Sequence, residues 1–412
     1  MYPVLQAVLG ILVFAGLAFA CSRSRQFVRW RFVGLAVATQ FAVAALFLHV
    51  GVAKALLSGL THVAKLLEDS TRQATSFVFG YVGGAEAPFE IGVGASTFVF
   101  AFQVLPIIIV VGALSALLWH WRILNAVIAP VAWIVRRTLG VSGPVGFVAV
   151  ANAFLSMLEG PMLIKPYLAR LKEHELFAVM TVGLSTVAGG TLIVISSILA
   201  VDEQAFGHVV TATLMNVFGA IAISHLMFPG DSADSADRVV VTTPHRSSMD
   251  ALVAGTADGG RVFLNVVALL IVFMSLMALI NSGLGLLHSG LSLEQVLAWP
   301  AAPFVWLMGM PLEEVLQAGG ILGTKVAINE IVAYSLLAES YSSLSPPTAF
   351  TLTFALCGFG NVGSLGILIG GLTAMAPERR ADILRWSPLA LCAALLANGL
   401  TASIAFIVSG HY

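Results

Sequence analysis

The chain has 412 residues, 58% of them hydrophobic and 10% charged, with a mean hydropathy of +0.96. Soluble domains carry about 25% charged residues, so this composition excludes a water-soluble enzyme and defines a polytopic membrane protein. At roughly 20 apolar residues per crossing there is room for about seven to ten passes. The 20 basic and 21 acidic residues leave a net charge of −1, so no basic surface suggests a nucleic-acid partner. Cys21, Cys357 and Cys392 stand far apart in apolar surroundings and form neither a disulfide framework nor a C-x-x-C metal site.

Ala18-Phe19-Ala20 resembles a signal-cleavage site, but the opening Met1 to Gln6 lacks the Lys or Arg of a signal's first region. The basic block Arg23, Arg25, Arg29 and Arg31 follows the apolar run instead. The positive-inside rule therefore predicts a first span with its C-terminal end in the cytoplasm and the N-terminus outside. Uninterrupted spans are expected near 3–20, 32–52, 99–119, 177–200, 207–227, 261–287, 349–373 and 386–409, eight in all. Between the second and third, residues 54–79 alternate Lys54, His62, Lys65, Glu68, Asp69, Arg72 and Gln73 with Leu56, Leu57, Leu60, Val63, Leu66 and Leu67. That pattern predicts an amphipathic helix lying on the membrane surface. Residues 80–95, with Glu86, Pro88 and Glu90, form a short Gly-rich external loop.

The later loops agree with this orientation. Arg122, Arg136, Arg137, Arg170 and Lys172 fall inside, as do the polar stretch 230–260 with Arg238 and Arg246, and Arg379, Arg380 and Arg385. Asp202 and Glu203 fall outside, and both termini are expected outside. Two apolar segments, 141–172 and about 302–341, are interrupted midway by Gly, Pro and charge. They are expected to be re-entrant hairpins, entering from the cytoplasm and from outside respectively, each followed by two spans. The chain thus divides into spans 1–3 with the surface helix (1–140), the first hairpin with spans 4 and 5 (141–230), and a cytoplasmic loop (231–260). Span 6 (261–301) and the second hairpin with spans 7 and 8 (302–412) complete it. Broken helices in matching positions of two inverted halves point to a transporter's binding site near mid-membrane.

Glu159 and Glu330 lie in long apolar neighbourhoods, where a carboxylate costs several kcal/mol unless paired or facing water. Each is read either as an ion-pair partner, of Lys165 and Lys325 respectively, or as an acceptor for a polar solute. Asn361 and Ser364, in Cys357-Gly358-Phe359-Gly360-Asn361-Val362-Gly363-Ser364, are spaced to share one helical face. They fit helix packing or a solute contact. Asn152 with the run Thr186 to Thr191 offers hard oxygens for Na⁺; equally, Gly189-Gly190 is a kink and Thr186 bonds back to its own helix. No G-x-x-x-x-G-K-[ST] supports ATP hydrolysis, so any pumping is driven by an ion gradient. No G-x-S-x-G elbow or metal-spaced histidines point to an enzyme.

At these residues the chain resembles the concentrative nucleoside transporter family. The resemblance rests on Phe100 to Pro106, Glu159-Gly160-Pro161-Met162-Leu163-Ile164-Lys165-Pro166, Asp250-Ala251 through Gly259, Gly323-Thr324-Lys325 with Asn329-Glu330, and Cys357 to Asn361, in family order along nearly the whole chain. It implies an all-α membrane protein of eight spans and two hairpins. It also implies a homotrimer in which a scaffold (spans 1–3 and 6) holds a transport domain that moves like an elevator. The implied activity is Na⁺-coupled, or sometimes H⁺-coupled, nucleoside symport across a bacterial inner membrane. By motif, Glu330, Asn361 and Ser364 are the implied ribose contacts, with Phe359 beside the ligand, Glu159 the first-hairpin carboxylate and Thr191 a further substrate contact. Asn152, Leu155, Thr186 and Val187 fall where the family binds Na⁺.

One departure matters. The family's first hairpin reads Gly-Gln-Thr-Glu-x-Pro, and this chain reads Ser156-Met157-Leu158-Glu159-Gly160-Pro161. Met157 and Leu158 replace the amide and hydroxyl that read the base, so polar discrimination of pyrimidines is expected to weaken and a purine or modified nucleoside becomes the candidate. The expected alternatives are a transporter of another polar solute and a transport-inactive receptor.

Overall fold

The computed structural model describes residues 2–91, 96–202, 204–230, 245–288 and 291–410. Glu203 and residues 92–95 of the Gly-rich loop lie outside the described residues, as do residues 231–244 of the expected cytoplasmic loop, Arg238 among them. Helices α1 (Tyr2–Ala20) and α2 (Trp30–His49) are the first two expected spans. Their junction is fastened at Arg23, whose guanidinium pairs with Glu173 at 2.8 Å and lies 4.5 Å from the Trp386 ring centroid. The expected amphipathic helix is α3 (Gly51–Phe79), which turns Leu57, Ala64, Thr71 and Thr75 inward and leaves Leu56, Leu60, Val63 and Leu66 exposed.

Helices α4 (Phe100–Gln103) and α5 (Ile107–His120) make the third span. Helix α6 (Ile123–Leu139) was not expected. Its Arg122, Arg136 and Arg137 flank an apolar stripe of Ile128, Ala132, Val135 and Leu139 that is buried, and Gly140, at φ +63°, ends it. The first hairpin is α7 (Gly143–Ala151), a tip at 152–158, then the short helices α8 (Glu159–Leu163) and α9 (Lys165–Leu168). The fourth span is not continuous: α10 (Glu173–Ser185) and α11 (Gly189–Ile198) are separated at Thr186–Ala188. Helix α12 (Ala205–Met227) follows.

Helix α13 (Ser248–Leu287) begins inside the stretch expected to be a polar loop, because the Ser247 hydroxyl accepts the Asp250 N–H at 3.1 Å and caps it. Gly255 and Gly259 let it lie directly on α5, where a Cβ at Gly259 would stand 2.8 Å from the Ile109 Cα. Helix α14 (Leu293–Leu307), started by a Ser292–Gln295 capping box, takes residues expected to open the second hairpin. The hairpin arms are α15 (Val315–Ala327) and α16 (Glu330–Ser340). The seventh span is also broken, into the 11-residue α17 (Pro346–Leu356) and the 14-residue α18 (Val362–Met375). Helix α19 (Arg380–Ser409) ends the described chain.

Among the described residues seven continuous or near-continuous segments are long and apolar enough to cross a membrane; the broken α17/α18 is the eighth expected span. The order of hairpin, broken span and continuous span occurs twice. Glu159 and Glu330 even precede the ends of α10 and α17 (Ser185 and Leu356) by the same number of residues. The core lies between α10, α12, α17 and α19, with α1 and α2 packed against α12 and α19.

Candidate functional site

Breaking a helix exposes backbone groups that the membrane interior cannot satisfy, so such breaks persist only where the protein itself supplies partners. Here the two broken spans supply each other. The Phe359 N–H donates to the Thr186 carbonyl at 3.2 Å. Asn398 of α19 donates to the carbonyls of Ser185 at 3.0 Å and Cys357 at 2.9 Å, and Asn216 of α12 adds a 2.6 Å bond to Cys357. Gly358 sits at φ +156°, and a Cβ there would stand 2.6 Å from the Ser185 carbonyl oxygen; the crossing requires glycine. Asn398 was missed in the sequence, where the signal was a single amide within an apolar span.

Three helix starts carry the candidate solute contacts. Asn329 caps α16 by accepting the Val332 N–H at 2.9 Å, which sets Glu330 in the first turn. Asn361 caps α18 by accepting the Ser364 N–H at 2.7 Å, while its amide NH₂ donates to the Glu330 carboxylate at 2.9 Å. Glu330, Asn361 and Ser364 are all buried. Asn361 and Ser364 therefore do not share a helical face as their spacing predicted: Asn361 stands ahead of the helix, in extended backbone, and reads the backbone of Ser364. The carboxylate is placed by two helix N-termini, the ends of a helix that favour negative charge. The third start is α8, where the Glu159 carboxylate accepts the Ser156 N–H at 3.0 Å and the Ser156 hydroxyl accepts the Glu159 N–H at 3.3 Å.

Neither expected ion pair forms. Lys165 is exposed, and Lys325 donates to Asn398 Oδ1 at 2.9 Å and to the Ala355 carbonyl at 3.3 Å instead of to Glu330. Of the expected base-reading pair, Met157 is buried in the core, its Cβ against Gly183 of α10, and the Leu158 side chain covers Gly371 of α18. Phe359 and Thr191 are half-buried.

The residues expected to hold Na⁺ are brought together, because the Gly189 N–H donates to the Phe154 carbonyl at 3.3 Å and so joins the hairpin tip to the α10/α11 break. Asn152 is fully buried, and neither its amide oxygen nor its nitrogen has a hydrogen-bond partner. A buried unpaired amide costs about 1–3 kcal/mol, and a cation on the oxygen removes the oxygen's share of it. Gly160 lies against that oxygen so closely that a Cβ would collide with it. The Thr186 hydroxyl donates to the Val182 carbonyl at 2.9 Å, the own-helix bond foreseen, which leaves its oxygen able to ligate. Leu155 and Val187 belong to the same two segments, and carbonyl, amide and hydroxyl oxygens are the ligand types that suit a hard monovalent cation.

The chain matches the family models described as Na⁺ dependent nucleoside transporter N-terminus (residues 9–82), nucleoside recognition gate (101–201) and Na⁺ dependent nucleoside transporter C-terminus (208–406). It is 31% identical to the nucleoside permease NupC of Helicobacter pylori over 98% of this chain and 97% of that one. It is also 31% identical to human sodium/nucleoside cotransporter 1, over 97% of this chain and 64% of that one. A solved structure of CNTnw in an inward-facing, substrate-bound state superposes with a TM-score of 0.92 at 32% identity, covering 99% of this chain and 98% of that one. A membrane chain so matched along its whole length is a transporter and not an enzyme, and it belongs to the Na⁺-dependent, or concentrative, nucleoside transporter family.

Proposed function

We propose that the protein is a Na⁺-coupled symporter that brings nucleosides, or solutes closely like them, across a bacterial inner membrane. The observation that carries this reading is the buried Glu330–Asn361 pair, set at the starts of two half-helices beside the crossing of the two broken spans. A ribose presents adjacent hydroxyls that donate to the carboxylate and accept from the amide, and a solute lacking them would leave both groups unpaired. In this reading Glu159, Phe359, Ser364 and Thr191 are the further solute contacts. The exchange of polar base-reading residues for Met157 and Leu158 supports weakened pyrimidine selectivity, because an apolar wall rejects one base from another poorly. Na⁺ at Asn152, Leu155, Thr186 and Val187 fastens the first hairpin to the α10/α11 break and so completes the Glu159 side of the site before the solute binds. Proton coupling is the alternative, and a Na⁺ titration decides between them.

Transport then requires the site to move between the two membrane faces. The hairpins and both broken spans are tied together at the crossing, which favours their moving as one body in an elevator-like stroke along the wall made by α5 and α13. CNTnw has been solved in inward-facing, outward-facing and intermediate states, in keeping with such a cycle. Only 6% of the apolar window of α13 is buried within one chain, against 83% for α12. An apolar helix left this bare faces lipid or a neighbouring subunit, and we place on it the contact of the homotrimer that the resemblance implies. Uptake of radiolabelled adenosine and uridine into proteoliposomes, with an imposed Na⁺ gradient and then an imposed H⁺ gradient, tests the function directly. Accumulation driven by Na⁺ supports it, and no accumulation of any nucleoside under either gradient refutes it.

A further inference from the structure

The two halves repeat the same parts, yet where the first hairpin brings Asn152 to its broken span, the second brings a lysine. In the first half α10 ends at the Thr186 break, beside Asn152 of the hairpin. In the second half α17 ends at the Cys357 break, and the hairpin brings Lys325 there. The Lys325 Nζ donates to the Ala355 carbonyl in the last turn of α17 and to Asn398 Oδ1, and Asn398 in turn holds the Cys357 and Ser185 carbonyls. Lys325 is fully buried, and among the described residues no carboxylate stands within 4 Å of its nitrogen.

The last four carbonyls of a helix lack partners within it and carry about half a negative charge. An ammonium without an ion-pair partner in an apolar interior costs several kcal/mol unless such groups take the place of water around it. The same physics that draws a free cation to the end of α10 thus holds a tethered one at the end of α17.

We propose that the Lys325 ammonium is a built-in cation, which holds the second hairpin to the α17/α18 break as Na⁺ holds the first hairpin to the α10/α11 break. Lys325 is a positioning residue: it touches no solute, but it fixes the hairpin that carries Glu330. The Glu330–Asn361 half of the site is then assembled at all times, and only the Glu159 half waits for Na⁺. This rests on the Na⁺ reading of the Asn152 site.

Two variants test it. Lys325→Met keeps the stem and removes the charge; Lys325→Asn supplies an amide oxygen and room for a free cation. The readout is the melting temperature of the detergent-purified protein against Na⁺ concentration, first without solute and then with adenosine or uridine. For the natural chain a Na⁺ dependence with a Hill slope of about 1 is expected, rising toward about 2 in Lys325→Asn, where a second cation must now bind. Lys325→Met is expected to keep the solute-free Na⁺ shift while binding nucleoside at least about tenfold more weakly, about 1.4 kcal/mol. Nucleoside affinity in Lys325→Met within about twofold of the natural chain overturns the proposal, as does loss of its Na⁺ shift. A slope that stays near 1 in Lys325→Asn, or failure of that variant to assemble at any Na⁺ concentration, overturns it too. If the natural chain responds to Na⁺ but to no nucleoside, the solute reading fails, and the solute-free slope of Lys325→Asn still decides this one.

Discussion

Replacing Gly160 by Ala sets two physical effects of opposite sign against each other. Gly160 is the second residue of α8, and inside a helix Ala is favoured over Gly by about 1 kcal/mol. On propensity alone the variant should melt higher. The added Cβ, however, would collide with the Asn152 side-chain oxygen and stand 2.9 Å from its amide carbon, so the amide must swing away. Disturbing a group that places a metal ligand typically weakens binding about 10–100-fold, or about 1.4–2.7 kcal/mol. The expected outcome depends on Na⁺. Without it, stability stays within about 1 kcal/mol of the natural chain because the two effects nearly offset. With it, the curve of melting temperature against Na⁺ moves to about 10–100-fold higher concentration. Thermal unfolding followed by intrinsic fluorescence, across a Na⁺ series with choline replacing Na⁺, reads both. An unmoved Na⁺ midpoint would refute the placement of the coupling ion at Asn152.

Further outcomes follow from the same structure. Glu330→Gln keeps an oxygen for the Asn361 amide but adds a donor where the ribose hydroxyls must donate; uptake is expected to vanish while the protein elutes unchanged on size exclusion. Normal uptake would remove Glu330 from the site. Restoring Gln at Met157 together with Thr at Leu158 is expected to tighten uridine binding about tenfold or more, the worth of one regained hydrogen bond, measured by calorimetry; no change would mean the base is read elsewhere. Outside the spans, burial opposes ionisation of Asp202, but the hydrogen bond and charge of His208, 3.1 Å away, with the Gln204 N–H, outweigh it and hold the carboxyl below its usual range. Because the folded value lies below the unfolded one, this pair stabilises the protein above about pH 4 and is lost as the pH falls through the folded value. Asp202→Asn should flatten that acid limb in a thermal melt, and an unchanged limb would show that another group controls it.

Most of the architecture is legible in the sequence, because spans in lipid announce themselves by length and apolarity. Where expectation and structure part, the reasons are local. Helix α6 was hidden by Arg136 and Arg137, which read as loop but sit in the last turn, where cations favour the helix. The start of α13 was hidden by Asp250 and Arg261, whose charge masks a strong Ser247 cap. The fourth span breaks at Thr186–Ala188, just ahead of the Gly189-Gly190 kink that was read there, while the break of the seventh at Cys357-Gly358-Phe359-Gly360-Asn361 fell within a run read as one uninterrupted span. In the site, residue types were legible and roles were not. Asn361 was read as sharing a helical face with Ser364, whereas it caps the helix that holds Ser364 and donates to Glu330. Lys325 was offered as the ion-pair partner of Glu330, whereas it bonds to Asn398, more than 70 residues away in the chain. Contacts at that separation, and the crossing they hold together, leave no periodicity to read.

The central claim is that a nucleoside is bound at Glu330 and Asn361 with help from Na⁺. The measurement that tests it most directly is the thermal stabilisation of the purified protein by a panel of nucleosides, nucleobases and free sugars, each with and without Na⁺. A ligand that binds only the folded state raises stability by about 2.7 kcal/mol at 100 times its dissociation constant, a shift well within reach of the assay. The account predicts stabilisation by nucleosides, purine or modified ones included, that grows with Na⁺ and is absent for nucleobases lacking ribose. Stabilisation by free nucleobases as strong as by their nucleosides, or none by any nucleoside at any Na⁺ concentration, would contradict it.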